Sequence, residues 1–469
     1  MITLFHQKLD NLEQFKVNIV QIDYAVRTYF YKKSIYKIMK KLQHLVILLT
    51  TSLLFLTSFA QTQNANKSSL EIKLIQLFPG AEVNKIKDFE NFSESYELVL
   101  NEPLDHKNPK KGTFKHYIYL SHLDFKKPMI IETEGYAARY RKTELSSLLN
   151  ANQLIVEYRF YGKSRPNPIQ WQYLTNDQAI ADYHTIVTKL KQLYTGKWVS
   201  TGISKGGETT LIYKSKYPND IDVAVPYVAP LINTQEDPRI EQHLATIGTS
   251  ECRKKITAFQ RSLLQNRASL INEIQAYAEK EKMIFTAVSL DEALEYSALE
   301  FPFSFWQWGG KCEEIPNSTA SSKELFEYMN KIVGIGSYND QSYYDLLPSF
   351  YQHMSELGYY GYDFTPVKDL LTTVKSSSNN RFAPKDVAIQ YNPNYIKSVR
   401  AYVENKGSKI LYIYGGYDTW VACSPTPKSN LDALKMVLPE GSHATRIKNF
   451  PKEEQEKAIQ LLKKWLLAN

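Results

Sequence analysis

One pentapeptide constrains the fold of this chain more than any other segment: Gly202-Ile203-Ser204-Lys205-Gly206. It follows a short strand-like run, residues 198–201, and precedes a helix-like segment, residues 208–214. A serine with glycine two residues to either side, at such a junction, predicts a sharp strand-to-helix turn, because bulkier neighbours would collide there. The surrounding fold would hold the serine in strained backbone with its hydroxyl projecting from the strand end. A flexible turn would also account for these five residues, so the neighbouring segments have to distinguish it from a strained turn that carries a catalytic serine.

The segments around this turn alternate between strand-like and helix-like patterns. Short apolar runs of this kind suit strands buried on both faces of a parallel sheet. From about residue 235 to residue 375 the chain instead reads as helical, charged and aromatic, and an amphipathic helix over 452–467 closes it. We therefore expect one α/β sheet interrupted by a helical insertion. The strand-like runs are residues 95–100, 114–120, 129–131, 154–156, 198–201, 223–228, 409–414 and 434–438.

Two further residues with catalytic chemistry follow predicted strands. Asp418 comes just after the run 409–414, and His443 just after the run 434–438. Catalytic groups collect at the carboxyl ends of parallel strands, and the chain order Ser, Asp, His is that of the α/β-hydrolase triad. An Asp after Gly-Gly is usually a turn former and a loop His is usually a surface residue. The agreement of residue type, order and position nevertheless favours a triad of Ser204, Asp418 and His443.

The roles of these residues follow from their chemistry. Ser204 is a weak nucleophile until a base accepts its proton, and His443 would be that base. Asp418 would orient the imidazole and stabilise its charged form. The oxyanion hole needs the backbone N–H of the residue after the nucleophile, Lys205, and a second N–H from the loop after the 129–131 strand. We expect Tyr136 to supply it.

The predicted fold is an α/β-hydrolase sheet with a large helical lid inserted between the nucleophile and the acid of the triad. Ser204 and Asp418 are 214 positions apart, whereas a βαβ unit needs roughly 30 residues. The expected organisation is a leader with a signal peptide (1–60), the first part of the hydrolase domain (61–234), the lid (235–375) and the second part of the hydrolase domain (376–469).

The N-terminal segment has the pattern of a secretory signal peptide. Basic residues at 37–41 precede apolar runs at 45–49 and 53–56, and small residues end at Ala60. The apolar run is too short and interrupted for a spanning helix, and no cysteine follows it for a lipid anchor. Met39 stands directly before Lys40 and is a candidate for the true start. The segment predicts export to the periplasm or medium, with no stable membrane anchor after cleavage.

Charge and cysteine content narrow the function classes. Residues 1–60 contribute +5 of the formal +8, so the remainder is only mildly basic and gives little support to nucleic-acid binding. No C-x-x-C or H-E-x-x-H pattern occurs, so we expect no metal and no cofactor.

Export permits disulfides, and Cys252 with Cys312 is the favoured pair of the three cysteines because both lie in one segment. Three unpaired thiols are the alternative.

Four segments carry a family pattern: residues 200–207, 227–230, 102–106 with 112–114, and 157–166. Together they resemble secreted bacterial serine peptidases of the tripeptidyl-aminopeptidase type. The last two segments are also similar to the family of lysosomal prolyl carboxypeptidase and dipeptidyl peptidase II. The resemblance implies an exopeptidase acting on peptide substrates, which releases short peptides, tripeptides first among them, from free N-termini, with cleavage after proline as an option. Glu208 departs from the apolar residue, often Met, expected at that position, and would favour the helix N-terminus electrostatically.

An exopeptidase of this kind must recognise a free α-ammonium, for which a carboxylate is the natural partner. Glu132 and Glu134 flank the expected oxyanion loop, and Glu295 and Glu300 precede the aromatic run 301–308. We select Glu134 and Glu300 as substrate-binding residues. In the aromatic run, Trp306 and Trp308 are the candidates for a wall that contacts the substrate, although packing of the lid on the sheet is the more common role of such a run.

Two other functions stay open at this stage. An esterase or acyl hydrolase would use the same triad, and activity on a short acyl ester against a free-N-terminus peptide amide discriminates the two. A secreted binding protein that lost its activity would share the fold, but the complete set of Ser204, Asp418 and His443 argues against it. The oligomeric state is open.

Overall fold

The computed structural model describes residues 2–64 and 67–467. The chain divides into two compact units, Met1–Gln76 and Leu77–Asn469. The first contains α1 (Ile2–Asn64) and all but the last residue of α2 (Ser69–Leu77). The predicted leader falls on α1, except for Met1, which lies outside the described residues. Within residues 2–64 and 67–467, helices with the length and apolar character of a membrane span are absent.

The second unit is built on a mixed sheet, nine-stranded within the described residues. Its strand order is β1-β2-β3-β5-β4-β6-β7-β8-β9, antiparallel from β1 to β5 and parallel from β5 onwards. The strands are β1 (Glu82–Ile86), β2 (Glu94–Pro103), β3 (Thr113–His122), β4 (Met129–Thr133), β5 (Asn152–Val156), β6 (Trp198–Ile203), β7 (Val223–Tyr227), β8 (Ile410–Gly415) and β9 (Ala433–Leu438).

The central strands are buried over their whole length. Every residue of β4, β5, β7 and β8 is buried, which explains their short uninterrupted apolar runs. The edge strand β1 was not expected from the sequence. Its residues are mostly exposed and include Glu82 and Lys85, so it lacks an apolar pattern and forms by pairing with β2.

Helices follow the parallel strands and fill the segment between β7 and β8. That segment carries α6 to α12, of which α6 to α11 lie within residues 235–375 and α12 lies beyond them. The helices are α3 (Glu144–Leu149), α4 (Asn176–Leu190), α5 (Lys205–Lys216), α6 (Pro238–Leu244), α7 (Ser250–Gln265), α8 (Arg267–Glu281), α9 (Leu290–Gln307), α10 (Ser322–Ile332), α11 (Asp340–Gln352), α12 (Tyr395–Asn405) and α13 (Lys452–Leu467).

The inserted helices have their own apolar core. Phe259 of α7 packs on Phe301 of α9 with ring centroids 4.5 Å apart, and Tyr328 of α10 closes the cluster. A disulfide between Cys252 and Cys312 joins the start of α7 to the segment after α9, with Cα atoms 5.4 Å apart. Cys423 is a free, buried thiol. The insertion is therefore a packed body in its own right, and not a long loop.

The sheet, its crossover helices and a serine at the β6–α5 turn make this an α/β-hydrolase fold. A helical insertion separates β7 from β8, that is, Ser204 from Asp418. The fold predicted from the sequence is confirmed.

Candidate active site

The turn between β6 and α5 is as sharp as its glycines suggest. Ser204 has φ +57° and ψ −124°, a conformation that side-chain-bearing residues rarely adopt. A Cβ on Gly202 would lie 2.2 Å from the carbonyl oxygen of Gly206, and one on Gly206 would lie 2.5 Å from that of Thr133. Glu208 N–H donates to the Ser204 carbonyl at 2.9 Å, which begins the helix directly behind the serine. Close backbone packing therefore forces the G-x-S-x-G pattern.

Asp418 and His443 meet above β8 and β9. The Nδ1 of His443 lies 2.8 Å from Oδ2 of Asp418, and Oδ1 of Asp418 accepts the Trp420 N–H. The carboxylate is fully buried. Since it accepts at Nδ1, the imidazole carries its hydrogen there and leaves Nε2 free to act as a base. The His443 N–H donates to the Gln307 carbonyl at the end of α9, so the lid helps to fix this loop.

Ser204 lines a cavity of about 120 Å³ between the sheet and the lid. Among the described residues, the hydrogen bonds of His443 do not include one to Ser204 Oγ. Catalytic contacts of this type commonly tighten only when substrate is bound. The sheet side of the cavity is formed by Tyr136, Ser204, Lys205, Glu208, Pro230 and Trp420, and the lid side by Glu300, Phe303, Gln307, His353, Tyr359 and Tyr360.

The two backbone N–H groups expected in the oxyanion hole are both available. Lys205 is the first residue of α5, where an N–H has no acceptor within the helix. The Tyr136 N–H makes no hydrogen bond to any acceptor in residues 2–64 and 67–467. A Cβ on Gly135 would lie 2.6 Å from the Gly206 nitrogen, so the loop after β4 is pressed against the first turn of α5.

The two selected carboxylates have different surroundings. Glu300 lines the cavity, is partly exposed, and accepts hydrogen bonds from Tyr360 OH at 2.6 Å and Ser304 Oγ at 2.7 Å. Burial raises the pKa of its carboxyl to about 7. Glu134 lies outside the cavity lining and forms an ion pair with Arg141, which also binds Glu132. The structure therefore brings Glu300 to Ser204 and engages Glu134 elsewhere.

The two tryptophans also separate. Trp308 is 56% exposed and lies edge-to-face with the His443 ring at 5.5 Å. Trp306 is buried, contacts the Tyr417 ring at 5.1 Å, and lines a neighbouring lid cavity of about 300 Å³. Trp308 is thus next to the imidazole, whereas Trp306 packs the lid on the loop that carries Asp418.

Several residues that line the cavity were not placed there by the sequence, and two of them, Glu208 and His353, carry acid–base chemistry. Glu208 is 1% exposed, and its Oε1 has no hydrogen-bond partner among the described residues. Burial raises the pKa of this carboxyl to about 8. His353 donates from Nδ1 to the Gly358 carbonyl at 2.9 Å, which leaves Nε2 without a hydrogen. The signal for Glu208 in the sequence was its departure from the apolar residue that the family resemblance implies at that position, whereas His353 has no local signal.

One cluster outside the cavity has metal-type ligands. Atoms of Glu102, His106 and Asp182 lie within 4.8 Å of one another. The Arg159 guanidinium binds both oxygens of Asp182, at 2.7 and 2.8 Å. The cluster therefore already contains a cation, and its geometry is that of a buried ion pair.

A serine turn of this geometry, on a parallel sheet with a helical lid, defines an α/β-hydrolase. The chain belongs to the PS-10 peptidase S37 family, whose sequence profile matches residues 66–465. The chain is therefore a serine peptidase, and the family resemblance seen in the sequence is confirmed.

The chain is also similar to two named relatives and to one solved structure. It is 29% identical over 419 residues to a prolyl tri/tetrapeptidyl aminopeptidase of Streptomyces mobaraensis, a match that covers 87% of both chains. A shorter match, 26% identical over 159 residues, is to prolyl carboxy peptidase like protein 5 of Caenorhabditis elegans and covers 30% of this chain and 31% of that one. Among solved structures, proline iminopeptidase from Mycobacterium smegmatis is 12% identical with a TM-score of 0.37, covering 82% of this chain and 99% of that one.

Proposed function

We propose that this chain is an exported serine exopeptidase that releases short peptides, tripeptides first among them, from free N-termini by means of Ser204, Asp418 and His443. The observation that carries the proposal is the buried 2.8 Å contact between Asp418 and His443, next to a cavity that Ser204 shares with Glu300. The name of the Streptomyces relative, identical at 29% of positions, supports the released length and a preference for proline.

In the proposed mechanism, Ser204 Oγ attacks the scissile carbonyl while His443 Nε2 accepts its proton. Asp418 stabilises the imidazolium through Nδ1. The N–H groups of Lys205 and Tyr136 donate to the oxyanion of the tetrahedral intermediate. His443 then protonates the leaving amine, and the acyl-enzyme is hydrolysed by water that the same histidine activates.

Of the two selected carboxylates, Glu300 is the better partner for the substrate α-ammonium. It lines the cavity that Ser204 also lines, and hydroxyl donors from Tyr360 and Ser304 favour its ionised form. Glu134 already has Arg141 as its counter-charge. We therefore assign the ammonium to Glu300 and give Glu134 the role of ordering Arg141 beside the oxyanion loop.

The aromatic side chains of the lid suit a proline ring at the cleaved position. Phe303 stacks on Tyr360 at 4.0 Å, and both line the cavity of about 120 Å³, which has room for one small side chain. We propose that residues 235–375 act as the lid that forms this wall. Trp308 would shield the His443 ring from solvent, and Trp306 would hold the lid in place.

Export is supported by two independent features. The signal-peptide pattern at residues 37–60 is one. The other is the Cys252–Cys312 disulfide, because disulfides persist in oxidising compartments such as the periplasm and the medium. N-terminal sequencing of the secreted protein would test cleavage after Ala60 and the start at Met39.

Labelling with a fluorophosphonate, followed by substrate profiling, tests the proposed activity. We expect labelling of the wild type and none of Ser204→Ala. A tripeptide amide with a free N-terminus should be cleaved much faster than its acetylated form or a short acyl ester. Faster turnover of the ester than of either peptide would indicate that the protein is an esterase and not an exopeptidase. No labelling of the wild type would indicate a binding protein without catalytic activity.

A further inference from the structure

The side chain of Lys205 is buried directly behind the nucleophile. It is 2% exposed, and its Nζ donates to the Gly135 carbonyl at 2.9 Å. The ammonium also lies 3.7 Å from the centroid of the Tyr158 ring and 5.1 Å from that of Tyr161. The Tyr136 ring is a third, at 5.7 Å. One carbonyl and three aromatic rings thus stabilise a cation that would otherwise be expensive to bury.

The acceptor of this hydrogen bond belongs to the oxyanion loop. The Gly135 carbonyl and the Tyr136 N–H are the two ends of one planar peptide group and point in opposite directions. A donor that fixes the carbonyl therefore also fixes the direction of the N–H. Hydrogen bonding at the carbonyl polarises the amide as well, which makes its N–H a stronger donor.

From this arrangement we propose that Lys205 is a positioning residue for the oxyanion hole. Its backbone N–H donates to the oxyanion, and its ammonium orients and polarises the Gly135–Tyr136 peptide that supplies the other donor. The inference rests on the proposed function, because it assumes acyl transfer at Ser204. One residue next to the nucleophile would then control both donors.

The packing of the loop agrees with this role. A Cβ on Gly135 would lie 2.7 Å from Cβ of Lys205 and 2.6 Å from the Gly206 nitrogen, so the loop packs directly against the first two residues of α5. Burial lowers the pKa of the Lys205 ammonium to about 7. An apolar side chain would fill the same space without that cost, but it would leave the Gly135 carbonyl without its donor.

The test compares Lys205→Met and Lys205→Gln with Lys214→Met. Lys214 is a matched control because it is a buried lysine of the same helix that donates to backbone carbonyls, Ile221 at 2.6 Å among them, away from Ser204. Three quantities are measured: kcat and KM for a tripeptide amide, affinity for the tripeptide product, and inhibition by a tripeptide aldehyde, whose adduct with Ser204 resembles the tetrahedral intermediate.

We expect Lys205→Met to lower kcat by about 10- to 100-fold and aldehyde affinity by the same factor, somewhat less than the loss of a whole oxyanion donor. KM and product affinity should stay within about twofold. Lys205→Gln, which keeps a neutral donor, should fall between Met and wild type, and Lys214→Met should keep wild-type kcat.

Two results would overturn the inference: wild-type kcat in either folded Lys205 variant, or a loss shared equally by kcat, KM and product affinity. If Lys205→Met does not fold, Lys205→Gln decides by the same criteria. A wild-type enzyme inactive on both peptide and ester would instead contradict the proposed function.

Discussion

The two sides of the Ser204 cavity are built by different means. On the sheet side, the functional groups are fixed by the backbone: Ser204 at positive φ, two N–H groups, and glycines too close to their neighbours for a Cβ. On the lid side, the cavity is formed by side chains such as Glu300, Phe303 and Tyr360. In the proposed enzyme, the sheet side therefore carries out the chemistry and the lid side selects the substrate.

The largest effect is expected on the sheet side, from Asp418→Asn. The amide would favour the wrong imidazole tautomer, so kcat should fall by about 10⁴-fold with little change in KM, as removal of this charge does in other serine peptidases. Asp432→Asn is the control, since Asp432 accepts a hydrogen bond from Trp465 Nε1. Asp432 lies just before β9, at the opposite end of the parallel strands from Ser204. A decrease in kcat of less than tenfold in Asp418→Asn would show that this carboxylate is not part of the mechanism.

The sheet side could be read from the sequence because its function depends on local backbone geometry. The serine turn, and Asp418 and His443 after consecutive strands, each leave a short pattern within a few residues. The positions of the buried strands along the chain were equally clear, whereas β1 was not, because its residues are mostly exposed and only pairing with β2 defines it.

The lid side could not be read in the same way. Glu134 and Glu300 looked alike in the sequence, and only the tertiary fold places Arg141 against the first and an open cavity against the second. His353 lies 149 positions from Ser204 and reaches the cavity through packing alone. Glu208 was expected to act on the helix dipole, but it is a buried carboxyl that faces the cavity.

The next largest effect should appear in the lid, on replacing both Cys252 and Cys312 with serine. The bridge closes a loop of 60 residues, and its loss should lower the free energy of unfolding by about 2–4 kcal/mol, since the unfolded chain gains conformational freedom. Thermal unfolding with and without dithiothreitol measures this. The reductant should lower the Tm of the wild type to that of the double variant and leave the variant unchanged; equal Tm values without reductant would contradict the prediction.

A smaller effect compares the two carboxylates directly. Glu300→Gln should raise KM for a free-N-terminus tripeptide amide by about 10- to 100-fold, the value of a hydrogen bond between charged groups. The acetylated peptide should be affected by less than threefold. Glu134→Gln is the matched variant, and the ratio of its KM values for the acetylated and free peptides should equal that of the wild type. The opposite pattern would show that Glu134, and not Glu300, binds the substrate ammonium.

The smallest effect concerns the pH dependence of stability at Glu208. Burial raises the pKa of this carboxyl from 4.5 to about 8. Between those values the folded protein binds a proton that the unfolded chain has lost, so stability is fully present below pH 4.5 and is lost as the pH rises through 8. Glu208→Gln removes this contribution, and its Tm should therefore fall less than that of the wild type between pH 5.5 and 8.5.

Glu453→Gln, on the exposed first turn of α13, is the control and should keep the wild-type slope of Tm against pH. An unchanged slope in Glu208→Gln would mean that the carboxyl is ionised in the folded protein, and the sheet side would then present a permanent negative charge to the substrate beside Ser204.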